Sequence, residues 1–181
     1  MKATGIVRRI DELGRIVLPK EIRRTMKIRE GDPLEIFTDR DGEVIFKKYS
    51  PVGEMAAFSA QYAETLHRTC DMSVIICDRD YVISCGGVAK KEYLEKQLTD
   101  EAEAIMESRS MYIYKGGDSE KIYPVRDSNN HYISCAMPII AEGDIIGCVA
   151  SLCDDAKQKM SDATEQKLIM TAAAFLGKQN E

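Results

Sequence analysis

Thr4-Gly5-Ile6-Val7-Arg8-Arg9-Ile10 and Arg15-Ile16-Val17-Leu18, joined through Leu13-Gly14 and followed at once by Pro19, decide how this chain is organised. Both pieces are rich in β-branched residues and predict two short strands around a turn. Pro19 predicts the start of a helix reaching about Met26, because the first helical position has no use for the N–H that proline lacks. Gly31-Asp32-Pro33 closes that segment. Leu34-Glu35-Ile36-Phe37-Thr38 and Glu43-Val44-Ile45-Phe46-Lys47 then flank Asp39-Arg40-Asp41-Gly42, a hairpin pattern. Strand, strand, helix and hairpin fill residues 1–50. So short a domain buries too little surface to be comfortably stable alone. It contains no cysteine, so a core shared with a second copy is the simplest remedy, and an obligate dimer is expected.

The charge is distributed unevenly. Across 181 residues the formal net charge is −5, but residues 1–50 hold 12 Lys/Arg against 9 Asp/Glu. Within residues 1–29 the count is 9 basic to 3 acidic, while everything after residue 50 carries a net −8. Only the amino-terminal end is a credible surface for phosphates.

Lys20, Arg23, Arg24 and Lys27 recur at i, i+3, i+4 and i+7, so in a continuous helix they share one face, opposite Ile22 and Met26. Such a run is usually a solvated face. Here Glu21 is the only acid in the segment, so the stripe lacks the partners a solvated face generally carries. Arg8, Arg9 and Arg15 add charge from the preceding strands. The expected partner is double-stranded DNA. Residues 1–50 contain no Asn and no Gln, which removes bidentate amide recognition of adenine. Arginine to guanine, charge to phosphate and duplex shape remain, so modest sequence specificity is expected. If about six to eight phosphates are neutralised per dimer, log K should fall with log salt at a slope near −5 to −7.

Ser50-Pro51-Val52-Gly53 breaks the pattern, with residues 51–54 read as a linker and 55–181 as a second domain. Met55, Phe58, Tyr62, Leu66 and Thr69 form a helical stripe. Strands are expected at Ser73–Cys77 and Tyr81–Cys85, helices around 89–95 and 99–108, and strands at 110–114, 121–125, 132–138 and 144–153. A last helix starts near Ser161-Asp162, where Asp162 and Glu165 suggest a capping box. Leu168, Ile169, Ala172, Phe175 and Leu176 line its apolar side. Helices at both ends of a run of strands indicate an α+β domain.

The segment from Met1 to Met26, with Gly31-Asp32-Pro33-Leu34-Glu35-Ile36 and Lys47-Lys48-Tyr49, closely resembles the AbrB family of transition-state regulators. The resemblance implies a mainly-β swapped-hairpin (looped-hinge helix) fold in which two chains interleave their strands. It places Arg8, Arg15, Arg23 and Arg24 where that family's arginines bind DNA. Ser73-Val74-Ile75-Ile76-Cys77-Asp78-Arg79-Asp80, Lys90-Lys91-Glu92-Tyr93-Leu94 and Ala172-Ala173-Ala174-Phe175-Leu176 are similar to AbrB-type sporulation regulators that carry a GAF-like second domain. That likeness implies a homotetramer joined through outer helices, an activator and repressor of sporulation genes, and an unidentified small-molecule ligand of the GAF-like domain.

Other functions are less well supported. No apolar segment approaches the roughly 20 residues of a membrane span, and no signal peptide is visible, so a cytoplasmic, nucleoid-associated protein is expected. Cysteines 70, 77, 85, 135, 148 and 153 form no Cys-x-x-Cys pair, His67 and His131 are isolated, and no metal or other cofactor is expected. All six thiols are read as buried and reduced. No nucleophilic elbow or phosphate loop occurs, so no enzyme is expected. The alternatives are a thiol enzyme of the GAF-type methionine sulfoxide reductase kind using Cys77, Cys85 and Cys135, or an AbrB-like antitoxin.

Overall fold

The computed structural model describes residues 5–117, 119–154 and 162–180. The chain divides into two compact units, Met1–Tyr49 and Ser50–Glu181.

In the first unit, helix α1 (Lys20–Thr25) precedes strands β1 (Leu34–Thr38) and β2 (Val44–Lys48), which pair antiparallel from Leu34↔Lys48 to Thr38↔Val44. Asp39 fixes the hairpin loop: its Oδ1 accepts the amides of Asp41 at 3.0 Å and Glu43 at 2.9 Å. The two strands expected before the helix are not formed within the single chain. A strand needs a ladder partner, and among the described residues none is paired in a ladder with residues 7–18. Only their turn closes, with Gly14 N donating to Asp11 O at 2.9 Å and Asp11 N to Arg15 O at 3.1 Å. Val7, Leu13 and Val17 are left 85%, 74% and 73% exposed.

The second unit begins directly after Tyr49. Residues 51–54, expected to be a linker, form a helical turn, α2 (Pro51–Glu54), capped by Ser50 Oγ accepting from Gly53 N at 3.0 Å. Val52 is fully buried against the sheet, which is why the turn is ordered. Helix α3 (Ala56–Cys70) follows, then β3 (Ser73–Cys77), β4 (Val82–Gly86), α4 (Lys90–Tyr93), α5 (Asp100–Glu107), β5 (Tyr112–Ile113), β6 (Tyr132–Ala141), β7 (Asp144–Cys153) and α6 (Ala163–Lys178). The sheet order is β4-β3-β7-β6-β5, antiparallel throughout. α3 and α6 cover one face, α4 and α5 the other. Val74 and Ile76 of β3 point into the first layer, Ile75 and Cys77 into the second. A strand buried on both faces reads as the unbroken apolar run seen in the sequence.

Several boundaries differ from expectation for identifiable reasons. β6 runs on to Ala141 because Glu142 and Gly143, both at positive φ, make a tight hairpin turn into β7. The strand expected at 121–125 reduces to isolated bridges of Val125, since Pro124 has no N–H for a ladder. α6 begins with Asp162 accepting from Glu165 N at 2.8 Å, and Ser161 lies outside the described residues. Glu165 does not complete the expected box; its carboxylate accepts from Ser151 Oγ at 2.5 Å instead. The buried stripe of α3 is Ser59, Ala63 and Leu66, not the line through Phe58.

Close backbone approach requires glycine at Gly86, where an added Cβ would strike the carbonyl of Ala63 in α3. Main chain on both sides leaves little room to relax. Gly86→Ala is therefore expected to destabilise the second unit by about 1–3 kcal/mol, as other overpacked cores do. Urea unfolding measures it, and an unchanged midpoint would contradict the packing described.

Candidate nucleic-acid interface

The cations singled out in the sequence occupy three places in the first unit. Arg8 and Arg9 lie on an extended, exposed arm, Arg15 follows the turn, and Lys20, Arg23 and Arg24 sit on exposed positions of α1. Pro19, buried, and Ile22, half-buried, hold the inner side of that helix. Arg23 and Arg24 lie in its last turn, where cations favour the helix dipole.

Lys27 is not on the helix. Thr25 is the last helical residue, Met26 the cap, and Lys27 adopts φ 49°. Ile28 N donates to Arg23 O at 2.7 Å and Lys27 N to Arg24 O at 3.3 Å. This is the paired-bond termination in which the left-handed position is usually glycine. The predicted four-residue stripe is therefore three residues, with Lys27 turned out of register. Lys48 Nζ donates to Lys27 O at 2.9 Å and lies 3.7 Å from the buried carboxylate of Asp32, tying the end of α1 to β2.

Lys27→Gly relieves a backbone position costing about 1–2 kcal/mol for a side-chain-bearing residue, partly offset by the freer unfolded chain. Its melting temperature is expected to hold or rise by a few degrees. If Lys27 neutralises a phosphate in each chain of a dimer, the salt slope of DNA binding shrinks by about 1.8 in the variant. An unchanged slope would remove Lys27 from the interface.

Arg15 has a partner that the sequence reading overlooked. Its backbone N–H donates to Asp11 Oδ1 at 2.8 Å and its Nε to Asp11 Oδ2 at 2.7 Å. Those bonds, the backbone one foremost, hold the Asp11 carboxyl below the usual carboxylate range. The i, i+4 spacing of Asp11 and Arg15 across Leu13-Gly14 was the available signal. One edge of the guanidinium is thereby committed to shaping the turn.

Residues 54–181 match the family described as "Stage V sporulation protein T C-terminal, transcription factor". Stage V sporulation protein T of Bacillus subtilis (strain 168) is 49% identical over 181 residues, covering 100% of this chain and 99% of that protein. The chain belongs to the stage V sporulation protein T family of transcription factors. Its amino-terminal residues 7–54 also match "Antidote-toxin recognition MazE, bacterial antitoxin". Transition state regulatory protein AbrB of the same bacterium is 61% identical over 51 residues, 28% of this chain and 52% of that protein. The GAF domain of a phosphoenolpyruvate-protein phosphotransferase from Coxiella burnetii superposes with a TM-score of 0.54 at 14% identity, covering 68% of this chain and 80% of that one. In this family member, then, an AbrB-type DNA-binding unit precedes a GAF-like α+β unit.

The cysteines are not uniformly buried, contrary to expectation. Cys77, Cys85, Cys135 and Cys148 are buried, Cys153 is half-buried and Cys70 is exposed at the end of α3. A hydrogen bond with the Cys148 thiol and then burial push the Cys77 thiol well up, and burial pushes Cys85 up. No described helix is long and apolar enough to cross a membrane.

Proposed function

We propose that this protein regulates sporulation genes, as activator and repressor, by binding double-stranded promoter DNA in the nucleoid as a homotetramer of two swapped dimers. The observation that carries this reading is the pairing of features on residues 5–18. Val7, Ile10, Leu13 and Val17 are more than 60% exposed, little covered by the described residues of their own chain. Beside them lie the arginines of the basic surface. Extended arms from a second copy would supply both the missing ladder partner and the missing core. In that arrangement two copies of α1 bring their cations to one duplex. With no amide side chain in residues 1–50, sequence readout would fall to arginine and duplex shape.

The GAF-like unit serves in this proposal to join two dimers and to sense a small molecule. A groove of about 770 Å³ beside α5 and β5, with Lys115, Tyr123 and Arg126 in its wall, is roomy enough for a ligand. The protein is read as a binding protein without catalytic activity. Thiol chemistry needs an exposed thiolate in an electropositive setting, whereas Cys77 and Cys85 are buried with raised pKa values.

The dimer is tested by sedimentation equilibrium of residues 1–52. A dimer that dissociates and unfolds together on dilution is expected. A folded monomer whose stability is independent of concentration would overturn the swapped arrangement.

A further inference from the structure

An unbroken series of hydrogen bonds joins the groove beside α5 and β5 to the first residue of the second unit. The first unit ends at Tyr49, whose N–H donates to Pro33 O at 3.1 Å within that unit. Ser50 opens the second. Its Oγ accepts from Gly53 N at 3.0 Å, capping α2, and donates to Asp78 Oδ2 at 2.9 Å in the turn between β3 and β4. The other oxygen of Asp78 shapes that turn, accepting the amides of Asp80 at 2.8 Å and Tyr81 at 2.7 Å.

The same turn is bonded on its far side to residues 96–98. Val82 N donates to Lys96 O at 3.0 Å, Leu98 N donates to Asp80 O at 2.9 Å, and Tyr81 bridges Gln97. The next links reach the groove wall. Thr99 N donates to Pro124 O at 3.1 Å, Thr99 Oγ1 to Tyr123 O at 2.7 Å, and Arg126 Nε to Leu98 O at 3.3 Å. Thr99, Tyr123, Val125 and Arg126 all line the groove. Leu98 and Val125 bridge one another and are buried in the core layer under α4 and α5. The connecting segment is therefore bonded along both edges and packed beneath, and a close-packed interior transmits displacement instead of absorbing it.

Coupling through a bonded network requires an element with two discrete arrangements. Ser50 supplies one. With its hydroxyl on Asp78, the start of α2 is tied to the β3–β4 turn. With that bond open, buried Val52 still holds α2 to the sheet, but the residue before it is released.

We infer that the Ser50–Asp78 hydrogen bond couples the groove to the DNA-binding unit. Ser50 and Asp78 are positioning residues. A shift of residues 123–126, such as an occupant of the groove would cause, passes through residues 96–99 to the turn and makes or breaks this bond. That changes how firmly the chain leaving the DNA-binding unit is held. The inference rests on the reading of the first unit as DNA-binding, and it gives the groove a regulatory route.

Coupling is reciprocal, so a groove that alters DNA binding must itself be altered by DNA. The test therefore needs no groove ligand. Hydrogen–deuterium exchange of the full-length protein is read by mass spectrometry with and without a promoter duplex, saturation being checked by fluorescence anisotropy. In the wild type, exchange across residues 96–99 and 123–126 should change by about fivefold or more, the low end of ordinary coupling between sites. Ser50→Gly removes the hydroxyl at little cost to the helix cap. Its melting temperature should stay near that of the wild type, and the change induced by DNA should vanish. Ser50→Thr keeps the hydroxyl and should restore the change. Exchange unaltered by bound duplex in the wild type, an equal change in Ser50→Gly, or no rescue by Ser50→Thr would overturn the coupling and leave DNA binding intact. A chain that binds no duplex would show no rise in anisotropy, and would overturn the DNA-binding reading together with the coupling.

Discussion

Replacing Arg23 and Arg24 together with alanine is expected to weaken DNA binding by at least about 100-fold near physiological salt and to flatten its salt dependence. Both side chains are exposed, and neither makes an ion pair or hydrogen bond among the described residues. Their full charge is therefore available to phosphates. Each neutralised phosphate contributes about 0.9 to the slope of log K against log salt. A dimer deprived of four such cations should fall from a slope near −5 to −7 to one near −1.5 to −3.5. The fold should tolerate the change, since the bonds that end α1 use the backbone of Arg23 and Arg24, and alanine is a better helix former than arginine. Fluorescence anisotropy of a labelled promoter fragment across salt concentrations measures both quantities. A double variant that keeps its slope and affinity while remaining folded would remove α1 from the interface and leave the charge asymmetry without a role.

Arg15 behaves differently. Asp11 already takes its Nε and backbone N–H, so losing Arg15 disturbs the turn that joins the two arms as well as removing a charge. The sequence showed that the cation was present but not that it was committed to a neighbour, because spacing gives no direction to a side chain. The same limit explains Lys27. Helical periodicity assigned it to a face, and only the paired-bond termination of α1, which depends on φ at a single residue, takes it off.

The second unit was more legible where both faces of a strand are covered. Ser73–Cys77 stands out as an unbroken apolar run because one layer of helices packs on each side. Residues 5–18 also read as β-forming, yet they form no strand in one chain. Local propensity specifies an extended backbone, whereas a ladder needs a partner, which a second molecule can supply. The Glu142-Gly143 turn was missed because the strongest hairpin signals are Asn-Gly and Asp-Gly. The bulge at Ser134 left no signal, since an extra residue in a ladder emerges only when two strands are in register.

On the proposed homotetramer, placing glutamate at both Phe58 and Phe175 is expected to convert tetramers to dimers and to reduce affinity for DNA carrying two sites by about 100- to 10,000-fold, the avidity gained by tethering. α3 already meets its own sheet through Ser59, Ala63 and Leu66, and α6 through Ile169, Ala172 and Leu176. Phe58 and Phe175 are not needed for that packing. They remain 37% and 40% exposed, yet they cluster with Tyr62. Both the Phe58–Phe175 and Tyr62–Phe175 ring centroids are 5.8 Å apart. A ring of this kind buries about 150–250 Å² when covered, so a second copy of the same seam would conceal a substantial apolar patch. Buried carboxylates would make that contact prohibitive while remaining harmless in water. The melting temperature of the second unit and the affinity for a single site should therefore change little, and only mass and two-site binding should fall. Tetramers that persist at micromolar concentration in the double variant would mean that the two aromatic helices face solvent and that the dimers are joined elsewhere.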